Sequence, residues 1–117
     1  MYLFCDISPR MQPVHVVVRI RPPFQKKISQ QKNCVHIKGR QQLIVGEDKE
    51  IFTFDHAFGP DLTQKDVYDS CVQPLVSRFM EGSNSTVFAY GQTGSGKTFT
   101  MGTDTEGEWV VLHAFFT

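Results

Sequence analysis

At 117 residues the chain can hold at most one domain of the roughly 100 to 200 residues usual for such units, and a second independent unit is excluded. A hydrophobic share of 40%, with 21% charged and 12% aromatic residues, is that of a globular chain and excludes a disordered or fibrous one. Twelve basic side chains balance twelve acidic ones, so a globally basic nucleic-acid binder is disfavoured.

Met1 to Cys5 has neither a basic flank nor a long apolar region, and no secretory signal is expected. The run Val14, Val16, Val17, Val18, Ile20 has little polar alternation, which predicts a strand covered on both faces. It must end at Pro22-Pro23, since proline cannot donate a ladder hydrogen bond. Phe24 to Asn33 is polar and without period, as in a loop. Three apolar bursts follow, Cys34 to Ile37, Leu43 to Val45 and Ile51 to Phe54, separated by turn-like spacers, and together they predict a small antiparallel meander.

Thr63-Gln64-Lys65-Asp66 resembles a capping box at a helix start. After it Val67, Cys71, Leu75 and Phe79 recur every four residues, the period of an amphipathic helix, which Gly82 closes. Pro74 inside this helix predicts a kink near Ser70 to Pro74. Thr86 to Tyr90 is a second buried-strand candidate, and a glycine-rich turn follows it, so the plan is of βαβ type. No apolar stretch reaches the ~20 residues that span a bilayer, the longest being Trp109 to Phe116 with His113 inside it. Membrane insertion is not expected.

The strongest chemical signal is Gly91-Gln92-Thr93-Gly94-Ser95-Gly96-Lys97-Thr98, which satisfies the phosphate-loop pattern directly after a predicted strand. Glycines at 91, 94 and 96 let backbone amides approach an anionic ligand. Lys97 would place a positive charge between β- and γ-phosphates, and the Thr98 hydroxyl would ligate Mg²⁺. Ser95 has no neighbouring base in the sequence and belongs to the loop rather than to a nucleophilic site.

Phe88 to Gly102 resembles the phosphate loop of the kinesin motor domain, with Ala-Tyr-Gly-Gln-Thr ahead of the glycines. Arg19-Ile20-Arg21-Pro22 is similar to the RxRP element of the same family, and Phe52-Thr53-Phe54-Asp55, Val67-Tyr68 and Pro74-Leu75-Val76 also match in order. The loop segment looks close to the chromokinesin-like group. The resemblance implies an α/β fold, the N-terminal part of a phosphate-loop NTPase with an incomplete central sheet and a small antiparallel meander. It divides the chain into an extension at 1–12, a motor-domain portion at 13–102 and a divergent tail at 103–117.

The resemblance further implies ATP and Mg²⁺ as ligands. Arg19 and Pro22 would pack against the adenine, with Arg21 assisting, and Gly91, Gln92, Thr93, Gly94, Ser95, Gly96, Lys97 and Thr98 would hold phosphates and metal. Taken alone, Arg19 and Arg21 read as two solvated charges at a strand end. Phe99, in the first turn after the loop, could flank the nucleotide, but its helical spacing favours a core position, and Ser83 stands where the family often has an aromatic residue.

The implied partner is the microtubule, with a cytoplasmic, cytoskeletal location and no nucleic acid or membrane. The γ-phosphate-sensing switches and microtubule-binding elements of the family are not found in the sequence. Two functions are therefore carried, an ATP-dependent microtubule motor and a truncated nucleotide-binding fragment without turnover. A small-molecule kinase would leave Arg19-Ile20-Arg21-Pro22 unexplained. With strands lacking neighbours, the chain is expected to be marginally stable and prone to edge association.

Other groups carry less. Residues 1 to 46 hold eight basic and one acidic side chain and residues 47 to 117 four and eleven, a pattern that fits a polyanion patch or two complementary solvated faces. Lys26, Lys27 and Lys32 read as a solvated loop, and His15, His36, His56 and His113 lack metal-ligand spacing. Cys5, Cys34 and Cys71 form no pair or framework, which suits a reducing compartment.

Overall fold

The computed structural model describes the backbone of residues 2–7 and, with side chains, residues 14–23 and 34–102. The expected Phe24 to Asn33 loop, its lysines, and the 103–117 tail with His113 lie outside the described residues.

Strand β2 (His15–Arg19) is the centre of the fold, and its unbroken valine run has a direct structural cause. Val17 and Val18 face opposite sides of the sheet and both are buried. Val17 packs with Phe58, Val67 and Leu75 beneath a helix, and Val18 packs with Leu43 and Ala57 against a second sheet. With cover on both faces, no position on the strand is left for a polar residue to alternate into.

The main sheet has the order β6-β2-β1-β7, where β1 is Tyr2–Ile7, β6 is His56–Phe58 and β7 is Ser85–Tyr90. β6 runs parallel to β2, whereas β1 runs antiparallel to both β2 and β7, so β2, β6 and β7 share one direction. The segment read from sequence as an N-terminal extension thus supplies a central strand, with Leu3 registered between Val17 and Ala89. β2 is in consequence no edge. β7 is the outer strand on its side among the described residues, and it is covered on one face rather than two. Val87 and Ala89 join the core while Phe88 and Tyr90 are 48% and 66% exposed.

The expected meander is present as β3 (Val35–Lys38), β4 (Gln42–Val45) and β5 (Glu50–Thr53), an antiparallel sheet in the order β3-β4-β5. Gly39 and Gly46 sit in its two turns at φ 68° and 77°, the left-handed region that glycine enters without steric cost.

The helix starts at the anticipated capping box. The Asp66 amide donates to the Thr63 hydroxyl at 3.2 Å, and the Thr63 amide donates to the Asp66 carboxylate at 2.7 Å. The Thr63 hydroxyl in turn donates to the Asp66 carboxylate at 2.7 Å, and this bond, followed by the one from the Thr63 amide, holds the Asp66 carboxyl below its ordinary range. From α1 (Gln64–Val67) the helix widens into a π-helical turn at Tyr68–Val72, where the Gln73 amide reaches the Tyr68 carbonyl, then continues as α2 (Gln73–Met80). The widening falls at the site predicted for a kink. A proline at 74 would clash with the carbonyl four residues back in a regular helix, and the wide turn relieves that conflict. At the far end Gly82 at φ 89° donates to Phe79 and Ser83 donates to Arg78, the paired bonds of a glycine-terminated helix.

Candidate functional site

Because β2, β6 and β7 run the same way, their C-terminal ends open on one side of the sheet, the usual place for ligands in sheets of this kind. A cleft of about 810 Å³ lies there. Its one wall is the end of β2, Arg19 to Pro23, and the opposite wall is the turn that leaves β7 and enters α3 (Lys97–Met101). Pro60, Leu62, Thr63 and Gln64, between β6 and α1, close the third side.

The turn adopts its shape because glycine occupies its left-handed positions. Gly94 has φ 80° and Gly96 has φ 95°. An added Cβ at Gly96 would meet nothing within 4 Å, so glycine is required there by conformation rather than by space. Gly96 caps α3, and the Thr100 amide closes the first turn on its carbonyl at 3.0 Å. The Lys97 ammonium folds back over the loop and donates to the carbonyls of Gly91 at 2.7 Å and Gln92 at 2.9 Å. The Ser95 hydroxyl is buried in the loop without a hydrogen-bond partner.

The two walls are tied together. Arg21 donates to the Gly94 carbonyl across the cleft. Arg19 donates to the side chains of Gln64 and of Thr100, the latter at 3.1 Å, and its guanidinium carbon stands 5.4 Å from the centre of the Phe99 ring. Half-buried in this way, the Arg19 guanidinium is pulled below its ordinary pKa by desolvation, and it stays a cation whose field is less screened than at the surface.

Of the residues singled out in the sequence, Arg19, Pro22, Thr93, Gly94, Gly96, Lys97 and Thr98 line this one cleft. Arg21, weighed for the base, lines it too. Gly91 and Gln92 do not; they hold the lysine instead. Ser95 lies in a small recess of about 40 Å³ behind the main cleft, beside Arg19 and Gly96. Phe99 departs from the core position that its spacing suggested, because α3 turns this side outward: the ring is 53% exposed and lines the cleft. Gln64 and Thr100, only 7% and 1% exposed, were not anticipated at all. A polar side chain in the first turn of a helix carries no sequence mark of burial.

Arg19, Arg21 and Lys97 are the charged groups lining the cleft, and no carboxylate joins them among the described residues. Three cations, glycine-supported backbone and the Thr98 hydroxyl suit a polyanion, and a volume near 800 Å³ suits one of nucleotide size.

Comparison with known proteins agrees with this geometry. The kinesin motor domain model matches residues 19–115. The mouse kinesin-like protein KIF27 is 52% identical over 92 residues, which is 77% of this chain and 6% of that protein. The chromosome-associated kinesin KIF4 of Xenopus laevis is 48% identical over 92 residues, again 77% of this chain and 7% of that relative. A solved structure of a fast kinesin superimposes with a TM-score of 0.69 at 32% identity, covering 84% of this chain and 30% of that one. The chain thus spans a small part of the curated relatives it matches. A phosphate-loop turn, an arginine-proline wall facing it and a match over most of the sequence lead to one conclusion: the chain belongs to the kinesin motor domain family.

Proposed function

We propose that the cleft binds Mg-ATP as the nucleotide site of a kinesin-like motor. The observation that carries the proposal is the facing of Lys97 and Thr98 by Arg19, Arg21 and Pro22 across a single cleft. The residues present fit the ligand, since the donor set is cationic and amide-rich and the Ser95 hydroxyl is buried without a protein partner. Lys97 would exchange two carbonyl acceptors for phosphate oxygens, the amides of residues 93–98 would cradle the phosphates, and the Thr98 hydroxyl would hold Mg²⁺. Arg19 and Pro22 would bound the base. Bound Mg²⁺ would neutralise charge on the β- and γ-phosphates.

By this reading residues 13–102 form the N-terminal part of a motor domain, the partner is the microtubule and the setting is the cytoplasmic cytoskeleton. A second reading, nucleotide binding without turnover, is favoured by one feature: the described lining of the cleft has no carboxylate. Orienting a water against the γ-phosphate takes groups that this lining does not supply. Binding of a fluorescent ATP analogue, measured with and without Mg²⁺, tests the site. Phosphate release with and without microtubules then separates the two readings, the motor requiring stimulated release and the binding module showing none.

A further inference from the structure

Besides the Arg21 contact to Gly94 and the Arg19 contact to Thr100, Gln64 joins the two walls of the cleft from its third side. Its amide oxygen accepts from the Arg19 guanidinium, and its amide nitrogen donates to the Phe99 carbonyl at 2.5 Å. One residue at the start of α1 thereby links the end of β2 to the helix that follows the phosphate loop. Thr100 accepts from the same guanidinium nitrogen of Arg19 at 3.1 Å, and the Phe99 ring lies against the guanidinium carbon. Both Gln64 and Thr100 are buried, so water does not compete for these bonds.

Left to itself, an arginine on a strand end samples many rotamers, and holding it in one costs entropy at the moment of binding. Here that ordering is done in advance by an acceptor that is itself locked to α3. We infer that Gln64 is a positioning residue: by fixing Arg19 against α3 it sets the base-side wall at a constant distance from the phosphate loop, and so governs how much the base adds to nucleotide affinity. The inference rests on the proposed nucleotide site. Gln64 itself lines the third side of the cleft, but the effect assigned to it here acts through Arg19, and it takes no part in the chemistry.

The consequence is specific to the half of the ligand that Arg19 bounds. Losing Gln64 should weaken a ligand with a base and spare one that consists of phosphates alone. The 117-residue chain is titrated calorimetrically with Mg-ATP and with magnesium tripolyphosphate, as wild type, Gln64→Met and Gln64→Glu. A hydrogen bond to a charged group supports about a tenfold loss of Mg-ATP affinity in Gln64→Met, with tripolyphosphate unchanged within about twofold. Gln64→Glu keeps an acceptor for Arg19 but cannot donate to the Phe99 carbonyl, so Arg19 loses its link through this residue to α3 and the ratio of Mg-ATP to tripolyphosphate affinity should fall as it does in Gln64→Met.

An equal loss for both ligands, or no loss for either, overturns the inference, since the first is a general structural defect and the second leaves Arg19 positioned by other means. If Gln64→Met does not fold, the ratio of the two affinities is read in Gln64→Asn, whose shorter amide cannot reach both partners, and an unchanged ratio is again a refutation. A wild-type chain that binds neither ligand refutes the nucleotide site itself, and Lys97→Ala losing both while wild type binds both shows that the site stands and the ratio alone decides.

Discussion

Replacing Gly96 by alanine isolates a conformational cost from a steric one. Gly96 has φ 95° and an added Cβ would find no atom within 4 Å, so the variant meets strain without a clash. An L-residue forced into the left-handed region loses about 1–2 kcal/mol. That cost must appear somewhere. If the loop keeps its shape in the free chain, folding stability falls by the whole amount and affinity for Mg-ATP is unchanged. If the free loop relaxes, stability is spared and binding must restore the strained turn, which weakens affinity by roughly 5- to 30-fold. The two losses, read by urea unfolding and by calorimetric titration, should therefore sum to about 1–2 kcal/mol however they divide. Gly39→Ala is the matched control, since Gly39 has φ 68°, equal space and a place in a meander turn remote from the cleft. It should lose stability alone. A summed loss near zero for Gly96→Ala, or an equal loss of affinity in Gly39→Ala, would refute the reasoning.

Two further outcomes follow from the fold. Thr63→Ala removes the hydroxyl that caps α1 and should cost about 1 kcal/mol by urea unfolding. Because Thr63 holds the folded-state pKa of Asp66 below its unfolded value, the stability from this pair is present above the ordinary carboxylate range and is lost as pH falls through the folded value; Asp66→Asn should flatten that part of the stability profile, and a profile identical to wild type would contradict it. Phe88 on the outer strand β7 is 48% exposed, so Phe88→Lys should lower concentration-dependent light scattering with little change in the melting midpoint, whereas unchanged scattering would remove β7 as the associating edge.

Much of this arrangement was legible in the residues. The valine run forecast a strand covered twice because Val17 and Val18 serve two cores at once, and Thr63 and Pro74 marked the cap and the widened turn through local sterics alone. The turn between β7 and α3 was legible for the same reason, Gly94 and Gly96 being demanded by backbone angles within a few residues. What escaped depends on distant contacts. Tyr2–Ile7 becomes a central strand only because β2 and β7 offer edges on either side, and His56–Phe58 is too short to announce itself. Gln64 is buried by Arg19 and Phe99, which lie 45 and 35 residues away in the chain. Phe99 has helical spacing suited to a core, yet the side of α3 that bears it opens onto the cleft.

The central claim is that the turn between β7 and α3 binds the phosphates of Mg-ATP through Lys97, and calorimetric titration of the 117-residue chain beside Lys97→Ala tests it most directly. Saturable binding by the wild type that vanishes in a folded Lys97→Ala is the predicted result. Wild-type binding that survives the substitution undiminished, or none by a folded wild-type chain, would contradict the claim.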